Sequence, residues 1–254
     1  MKQEPKNPVQ AVQTNLRLVQ TLNRLGSAGV SELAEKTGMN LSTIHNHLAT
    51  LAAEDYVVKT DENEYRLSLK FLEHGGRLRK SRALYREGRQ ELTALAEETG
   101  ELANLMIEER GLGIHLYSAR GESAMEFESF VGDRQRLHHT GVGKAILAHM
   151  DRDRIDEIIA ERGLPQRTDN TITDREALDA RLEEIRERGY AVDDEEKVTG
   201  LRCVAAPVIA NENLMGAVSV SGPASRVKNE VFREELPDKV VSTADLIGIK
   251  ITHA

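Results

Sequence analysis

The sequence predicts an α+β protein: an N-terminal winged helix-turn-helix over residues 1–67, a linker and connecting helix over 68–99, and a larger region over 100–254 built on a mostly antiparallel sheet. Three observations carry this. Residues 28–67 hold two short amphipathic helical runs followed at once by a polar-tipped hairpin. From residue 101 strand-like and helical runs are not strictly interleaved, which disfavours a doubly wound parallel sheet. The charge is divided as well. Residues 1–90 carry 14 Lys and Arg against 10 Asp and Glu (+4), whereas residues 91–254 carry 20 against 32 (−12). Only the first segment suits a polyanion, and a chain of 254 residues is long enough for two cores.

Residues 9–25 read as a supporting helix with Val9, Val12, Leu16, Val19 and Leu22 on one face. In the run over 30–38, Ser31 is placed to cap the helix, Glu32 sits where the dipole favours an anion, and Gly38 stops it. Asn40 caps the next run, over 40–54, whose Leu41, Ile44, Leu48 and Leu51 form one apolar stripe. That stripe leaves Ser42, Thr43, His45 and Asn46 on an outer face whose hydroxyls and amide can bond base edges in a major groove. Residues 56–58 and 65–67 are strands joined by Asp61-Glu62-Asn63. Residues 40–58 contain no Lys or Arg. Phosphate contacts therefore fall to Lys36, Lys59, Arg66 and the N-terminal arm, with weak non-specific binding as the consequence.

After the wing, residues 69–72 start a short helix that Gly75-Gly76 interrupts, and a charged helix over 77–99 ends at Gly100. Residues 102–108 and 113–119 pair across Arg110-Gly111, with 125–131 as a third strand. Residues 140–150 and 151–161 are helical, and Thr173 with Glu176 forms a capping box for a helix to Arg188 with Leu178, Leu182 and Ile185 inward. Residues 190–194, 201–209 and 214–221 are strands. A tail helix from Asp238 buries Val240, Val241, Ala244 and Ile247.

The last two strands offer a ligand site. Period two puts Ala217, Ser219 and Ser221 on one face, and Leu201, Cys203 and Ala205 likewise. Small, partly polar side chains leave room above a sheet and supply hydrogen bonds, although a solvent-wetted edge gives the same pattern. Thr140-Gly141-Val142-Gly143-Lys144 adds a helix start whose amides can receive an anion. Asp193 ends a strand and can accept a ligand hydroxyl. His138-His139 invites a metal reading with Asp193 or Cys203, but no metal-ligand spacing appears. Cys203 with His138 or His139 is the candidate nucleophile pairing for an alternative reading as a small-molecule enzyme with an appended DNA-binding domain. A small cysteine in an apolar strand is more often an inert core residue.

No apolar stretch approaches the ~18 residues of a membrane span, and the N-terminus lacks a signal-peptide core. The single cysteine excludes an intramolecular disulfide framework. A cytoplasmic protein without membrane contact is expected.

Three separated motifs, in order, resemble the IclR (isocitrate lyase regulator) family of transcriptional regulators: Arg136-Leu137-His138-His139-Thr140-Gly141-Val142-Gly143-Lys144-Ala145, Gly200-Leu201-Arg202-Cys203-Val204-Ala205-Ala206-Pro207-Val208, and Ser219-Val220-Ser221-Gly222-Pro223. Ser42-Thr43-Ile44-His45 and Thr50-Leu51 match the family's reading helix, and the similarity spans residues 9–251. The resemblance implies a winged helix, a linker helix and a GAF-like or profilin-like effector domain. It also implies a homodimer or homotetramer on a double-stranded DNA operator, repressing or activating a catabolic operon in response to a small organic acid. No cofactor or catalytic residue is implied. The family's effector contacts fall on Gly141, Val142, Asp193, Cys203, Ser219 and Ser221, with apolar contacts around Ala124 and Phe127. Two positions depart from the family: Asn46 stands where arginine is usual, and His47 where leucine is. Asp193 beside the pocket disfavours a bare carboxylate and points to a sugar acid or other hydroxylated acid.

Overall fold

A computed structural model describes residues 6–126 and 130–254. The chain divides into two compact units, Met1–Arg79 and Lys80–Ala254.

In the first unit, helices α1 (Gln10–Leu25), α2 (Val30–Thr37) and α3 (Leu41–Ala53) close on a small antiparallel sheet of β1 (Ser27–Ala28), β3 (Tyr65–Leu67) and β2 (Val57–Lys59). Their core is Leu18, Leu22, Leu33, Ile44, Leu48 and Leu51 with Ala28, Val57 and Tyr65. Gly38 takes a left-handed conformation (φ 69°, ψ 15°) and its N–H returns to the Ala34 carbonyl, which ends α2 sharply. Two residues later Asn40 Oδ1 accepts the Thr43 N–H at 2.8 Å and starts α3. That tight corner sets the angle between the two helices.

Several expectations need correction here. Gly29, not Ser31, occupies the cap position of α2, which starts before the serine. Leu41, the first residue of α3, lies outside the apolar stripe at 55% exposure. The buried face of α1 is Thr14, Leu18, Thr21 and Leu22, while Val9, Val12 and Leu16 are exposed. Thr21 can be buried because its hydroxyl donates to the Arg17 carbonyl at 2.8 Å. β1 was not expected. It pairs Ser27 with Arg66, and the Ser27 hydroxyl donates to Glu64 Oε2 at 2.5 Å.

Helix α4 (Lys70–Ser81) runs straight through Gly75-Gly76, and the helical path breaks instead at Arg82, whose extended backbone precedes α5 (Ala83–Thr99). The two glycines lie on open helix surface with nothing within 4 Å of either missing side chain, so they weaken α4 without bending it. The break at Arg82 lets α5 turn Leu84, Tyr85, Leu92 and Leu95 into the second unit's core.

Among the described residues, that unit is built on a six-stranded antiparallel sheet. Its strands are β4 (Leu102–Glu109), β5 (Leu112–Arg120), β6 (Arg134–Gln135), β7 (Ala191–Asp194), β8 (Leu201–Ala210) and β9 (Asn213–Pro223), in spatial order β6-β5-β4-β9-β8-β7. The expected third strand over 125–131 is replaced by β6 a few residues later; the described part of that segment carries no strand. One sheet face, with Leu105, Val204, Val208, Val218 and Val220, packs on α5 and on α9 (Leu236–Thr252). The other, with Met106, Ala191, Ala205 and Ala217, packs on α6 (Gly141–Ala148), α7 (Arg152–Arg162) and α8 (Arg175–Arg188). The alternation read in β9 thus separates two cores. The α8 cap is Asp174, which accepts the Ala177 N–H at 2.8 Å, not Thr173. The tail helix begins two residues earlier than Asp238, after a wide turn over Val231–Glu235.

The corrected stripe of α3 gives a direct check. In chemical denaturation of the full chain, Leu48→Ala is expected to cost about 2–5 kcal/mol and Leu41→Ala no more than about 0.5 kcal/mol. Equal costs would contradict the packing described.

Candidate functional site

The outer face of α3 carries the expected reading group. His45 and Asn46 are exposed and Thr43 is half-buried beside them. Ser42 is exposed too, but its hydroxyl already donates to Asn40 Oδ1 at 2.9 Å, so towards a base it keeps only acceptor capacity. His47 resolves its own oddity. Turned inward and half-buried, it sets Nδ1 2.9 Å from Asn15 Oδ1 on α1, replacing an apolar contact with a polar one. Lys59 and Arg66 are exposed on the hairpin, with the Lys59 ammonium 6.0 Å from the centre of the Tyr65 ring. Lys36 stands apart on α2, 3.9 Å from Glu35.

In the second unit, strand register gathers most of the expected ligand residues. Asp193, Cys203 and Ser221 are directly opposed on β7, β8 and β9, and the next row holds Ala205, Ser219 and Asn104. Asn104 continues to Ser118, whose hydroxyl donates to Asn104 Oδ1 at 2.8 Å. This pair was missed; the period-two run Leu102, Asn104, Met106 would place Asn104 on this face once β4 is known to lie beside β9.

Helix α6 sits over these rows. Thr140 caps it, accepting the Gly143 N–H at 3.0 Å. A methyl group on Gly141 would lie 3.1 Å from Cys203 Sγ, and one on Gly143 only 2.2 Å from the Leu137 carbonyl oxygen. Gly141 therefore serves close helix–sheet packing, lying against Cys203 and Asp193, whereas Gly143 lets the start of α6 fold back onto the Leu137 backbone. Val142 packs into the core between α6 and the sheet. Phe127 lies outside the described residues.

Lys144, fully buried, pairs with the buried Glu196 carboxylate from the loop after β7. Arg181 reaches the same Glu196 oxygen at 3.6 Å. The loop is tied down further: Thr171 Oγ1 donates to the Glu196 carbonyl at 2.6 Å, and Asp193 Oδ1 accepts the amides of Glu196 and Lys197 at 2.8 and 3.3 Å. Burial pushes the Lys144 ammonium below the ordinary lysine range, with Glu196 and Asp193 pulling the other way.

The strand-end Asp193 is thus a buried carboxylate at 2% exposure, not a solvated one. Burial pushes its pKa up to about 6, against the pull of Lys144. Burial likewise pushes the Cys203 thiol up to about 11, so at neutral pH it is a protonated, poorly nucleophilic group. His138 turns Nε2 toward the Pro165 carbonyl at 3.1 Å. Burial, with the cationic Lys197 adding to it, holds His115 down to about 4. Burial, with His138 and Lys197 adding to it, holds His139 down to about 3. Both rings are neutral at pH 7.

Beside this cluster lies a cavity of about 700 Å³, bounded by Asp133, Arg136, His139, Arg167 and Lys197 among others. None of Gly141, Val142, Asp193, Cys203, Ser219 or Ser221 lines it. The expected ligand residues are therefore assembled, but the open volume begins one step further out. It adjoins them through His139, next to the α6 cap, and Lys197, whose amide is held by Asp193. Sequence reading had no signal for the cavity, because its walls come from four separate loops and strand ends.

Comparison with known proteins now decides the family. A model of the IclR helix-turn-helix domain matches residues 14–61, and a model of the bacterial transcriptional regulator IclR C-terminal region matches residues 78–248. The chain belongs to the IclR family of transcriptional regulators. The probable HTH-type transcriptional regulator ArcR of Halobacterium salinarum is 31% identical over 255 aligned positions, covering 99% of this chain and 97% of the relative. The crystal structure of Thermotoga maritima IclR matches with a TM-score of 0.81 at 29% identity, over 95% of this chain and 98% of that one. An IclR homologue from Microbacterium hydrocarbonoxydans, solved in complex with 4-hydroxybenzoate, shares the fold with a TM-score of 0.85 at 20% identity, over 96% and 100% of the two chains. As a member of this family, the protein is a DNA-binding transcriptional regulator. No helix among its described residues is long and apolar enough to cross a membrane.

The buried titratable groups of this IclR-family regulator give a pH signature. Asp193 has an ordinary pKa of 3.8 and a folded value of about 6, so in that window the fold binds more protons than the open chain and stability falls as pH rises. His115 and His139 act oppositely: their folded values lie below 6.5, so they add stability as pH rises towards it. Asp193→Asn is therefore expected to make stability climb more steeply with pH across the aspartate window. The difference should accumulate to about 2–3 kcal/mol in denaturation midpoints taken at successive pH values. Identical slopes would show that Asp193 is not held as described.

Proposed function

We propose that this IclR-family regulator binds its operator as a dimer or higher homo-oligomer and that a small hydroxylated organic acid, held in the second unit, changes that binding to control a catabolic operon. The α3 helices of paired protomers read two half-sites about one helical turn, or a multiple of it, apart. Thr43, His45, Asn46 and the acceptor face of Ser42 address base edges, while Lys36, Lys59 and Arg66 hold phosphates. With no cation on the reading helix, affinity rests on the pairing of protomers and on the hairpin.

The observation that carries the effector reading is the Ser219 hydroxyl. It is 1% exposed and, among the described residues, has only the weakly bonding Cys203 thiol for a partner, on the sheet face that also bears Asp193 and Ser221. A buried hydroxyl so weakly satisfied is costly, and a ligand hydroxyl or carboxylate is its natural complement. Asp193 favours ligand hydroxyls on its side of the site, since a second carboxylate there would meet like charge. Effector binding then shifts the population between oligomer geometries that fit DNA and those that do not, along the chain path of α4 and α5.

Two measurements test this. Small acids, hydroxy acids and sugars are screened by thermal denaturation of the full chain, and each hit is added to a binding assay on the DNA upstream of the protein's own gene. At least one hit is expected to change operator affinity several-fold, and Ser219→Ala to weaken that hit about tenfold without abolishing DNA binding. If every stabilising ligand leaves operator affinity unchanged, the sensor reading fails. On the DNA side, Asn46→Ala is expected to cost about 1–3 kcal/mol and relax preference at one base pair. Lys59→Ala should instead weaken all sequences alike and reduce the salt dependence by about one phosphate contact. The reverse pattern would misplace the reading helix.

A further inference from the structure

The walls of the 700 Å³ cavity are unbalanced in a particular way. Among the described residues, Arg134, Arg136, Arg167 and Lys197 line it against two carboxylates, Glu126 and Asp133. Arg134 is committed to Glu109 at 3.2 Å. Asp133 is engaged locally, accepting the Arg134 amide at 2.8 Å and Gln135 Nε2 at 3.1 Å. Among the described residues, the Arg136 guanidinium and the Lys197 ammonium make no ion pair. Among the same residues, Nη1 of Arg136 is buried without a hydrogen-bond partner, as is Nδ1 of His139 on the same wall. Lys197 is half-buried, and its charge is felt by His139 and by His115, which is 4% exposed with both ring nitrogens unpartnered among the described residues. Cations drawn together inside a concave wall, beside buried polar atoms that lack partners, are what an anion site requires. The arrangement has a direction as well: hydroxyl-binding groups (Ser219, Asp193) lie inward, and the cations lie outward at Arg136 and Lys197.

We propose that Arg136 and Lys197 form a carboxylate subsite that fixes the effector as an acid bound with its charge outward and its hydroxylated end towards Ser219 and Asp193. This inference rests on the effector reading above and names the group that selects the ligand class. Lys197 is well placed to couple the two ends, because its own amide is hydrogen-bonded to Asp193 Oδ1. A neutral polyol of the same size would leave both cations without a counter-charge and forgo the charge-assisted hydrogen bonds that an acid gains there.

The test uses the full chain and matched probes: glycolate, glycerate, gluconate and glucarate, each beside its uncharged alcohol (ethylene glycol, glycerol and, for both sugar acids, sorbitol). Calorimetric titration and thermal denaturation are expected to show binding by at least one acid and none by its alcohol. Lys197→Gln and Arg136→Gln should each weaken that acid about tenfold or more, whereas Lys197→Arg keeps most of the affinity. Melting of the ligand-free variants separates lost binding from lost folding. Equal binding of acid and alcohol, or no binding by any of the acids, overturns the proposal. If Lys197→Gln leaves an acid's affinity intact while Ser219→Ala weakens it, the carboxylate subsite is wrong and the effector reading stands. If an acid binds and neither change matters, both are wrong.

Discussion

The ion pair between Lys144 and Glu196 is the constraint on which the second unit's site depends. Both groups are buried, and their partnership joins the start of α6 to the loop leaving β7. Removing a charge from water is expensive, and such a pair persists only where geometry and further hydrogen bonds compensate. Arg181 supplies part of that compensation at Glu196, and Thr171 and Asp193 hold the loop backbone. With the loop fixed in this way, Lys197 is presented to the cavity and Asp193 faces Cys203. The same pair helps α6 lie close to the sheet, to which it presents Gly141 and a lysine whose charge is already answered.

Electrostatics divides the labour along the chain. The first unit carries no Lys or Arg on α3, so under the proposed function discrimination falls to the amide, hydroxyl and imidazole groups of that helix. The second unit, acidic in sum, gathers at one concave wall cations that make no ion pair among the described residues. A net charge of −8 therefore conceals local groups of cations, which the proposed function matches to two anions, operator phosphate and effector carboxylate.

Much of this was legible in the sequence where periodicity and capping agreed. Asn40 before the stripe Ile44, Leu48, Leu51, and the run Leu178, Leu182, Ile185, each specify a helix and its buried side. The alternation Ala217, Ser219, Ser221 assigned a sheet face correctly, and the family motifs named residues that strand register does bring together. Legibility failed where tertiary context chose between equals. In α1 two stripes compete, and the one containing Thr14 and Thr21 wins because a helix carbonyl can satisfy a buried threonine hydroxyl. Gly75-Gly76 looked like a break, yet an exposed helix tolerates glycine, and the turn falls at Arg82 where the next side chains find a core. Lys144 reads as a surface lysine in any local window, since its partner lies 52 residues away. The cavity is less legible still, because no pattern in one segment reports walls contributed by several.

Under the proposed function, an acid held in the second unit and an operator held by the first are thermodynamically coupled. Coupling of that kind is reciprocal: a factor by which the acid changes operator affinity must also appear in the acid's own affinity when operator is present. The decisive measurement is the dissociation constant of the identified acid, titrated into the full-length protein with and without saturating operator duplex at fixed salt. The account predicts that the two constants differ by the same factor, and in the same sense, as the operator constants measured with and without acid. An acid affinity unchanged by operator would contradict it.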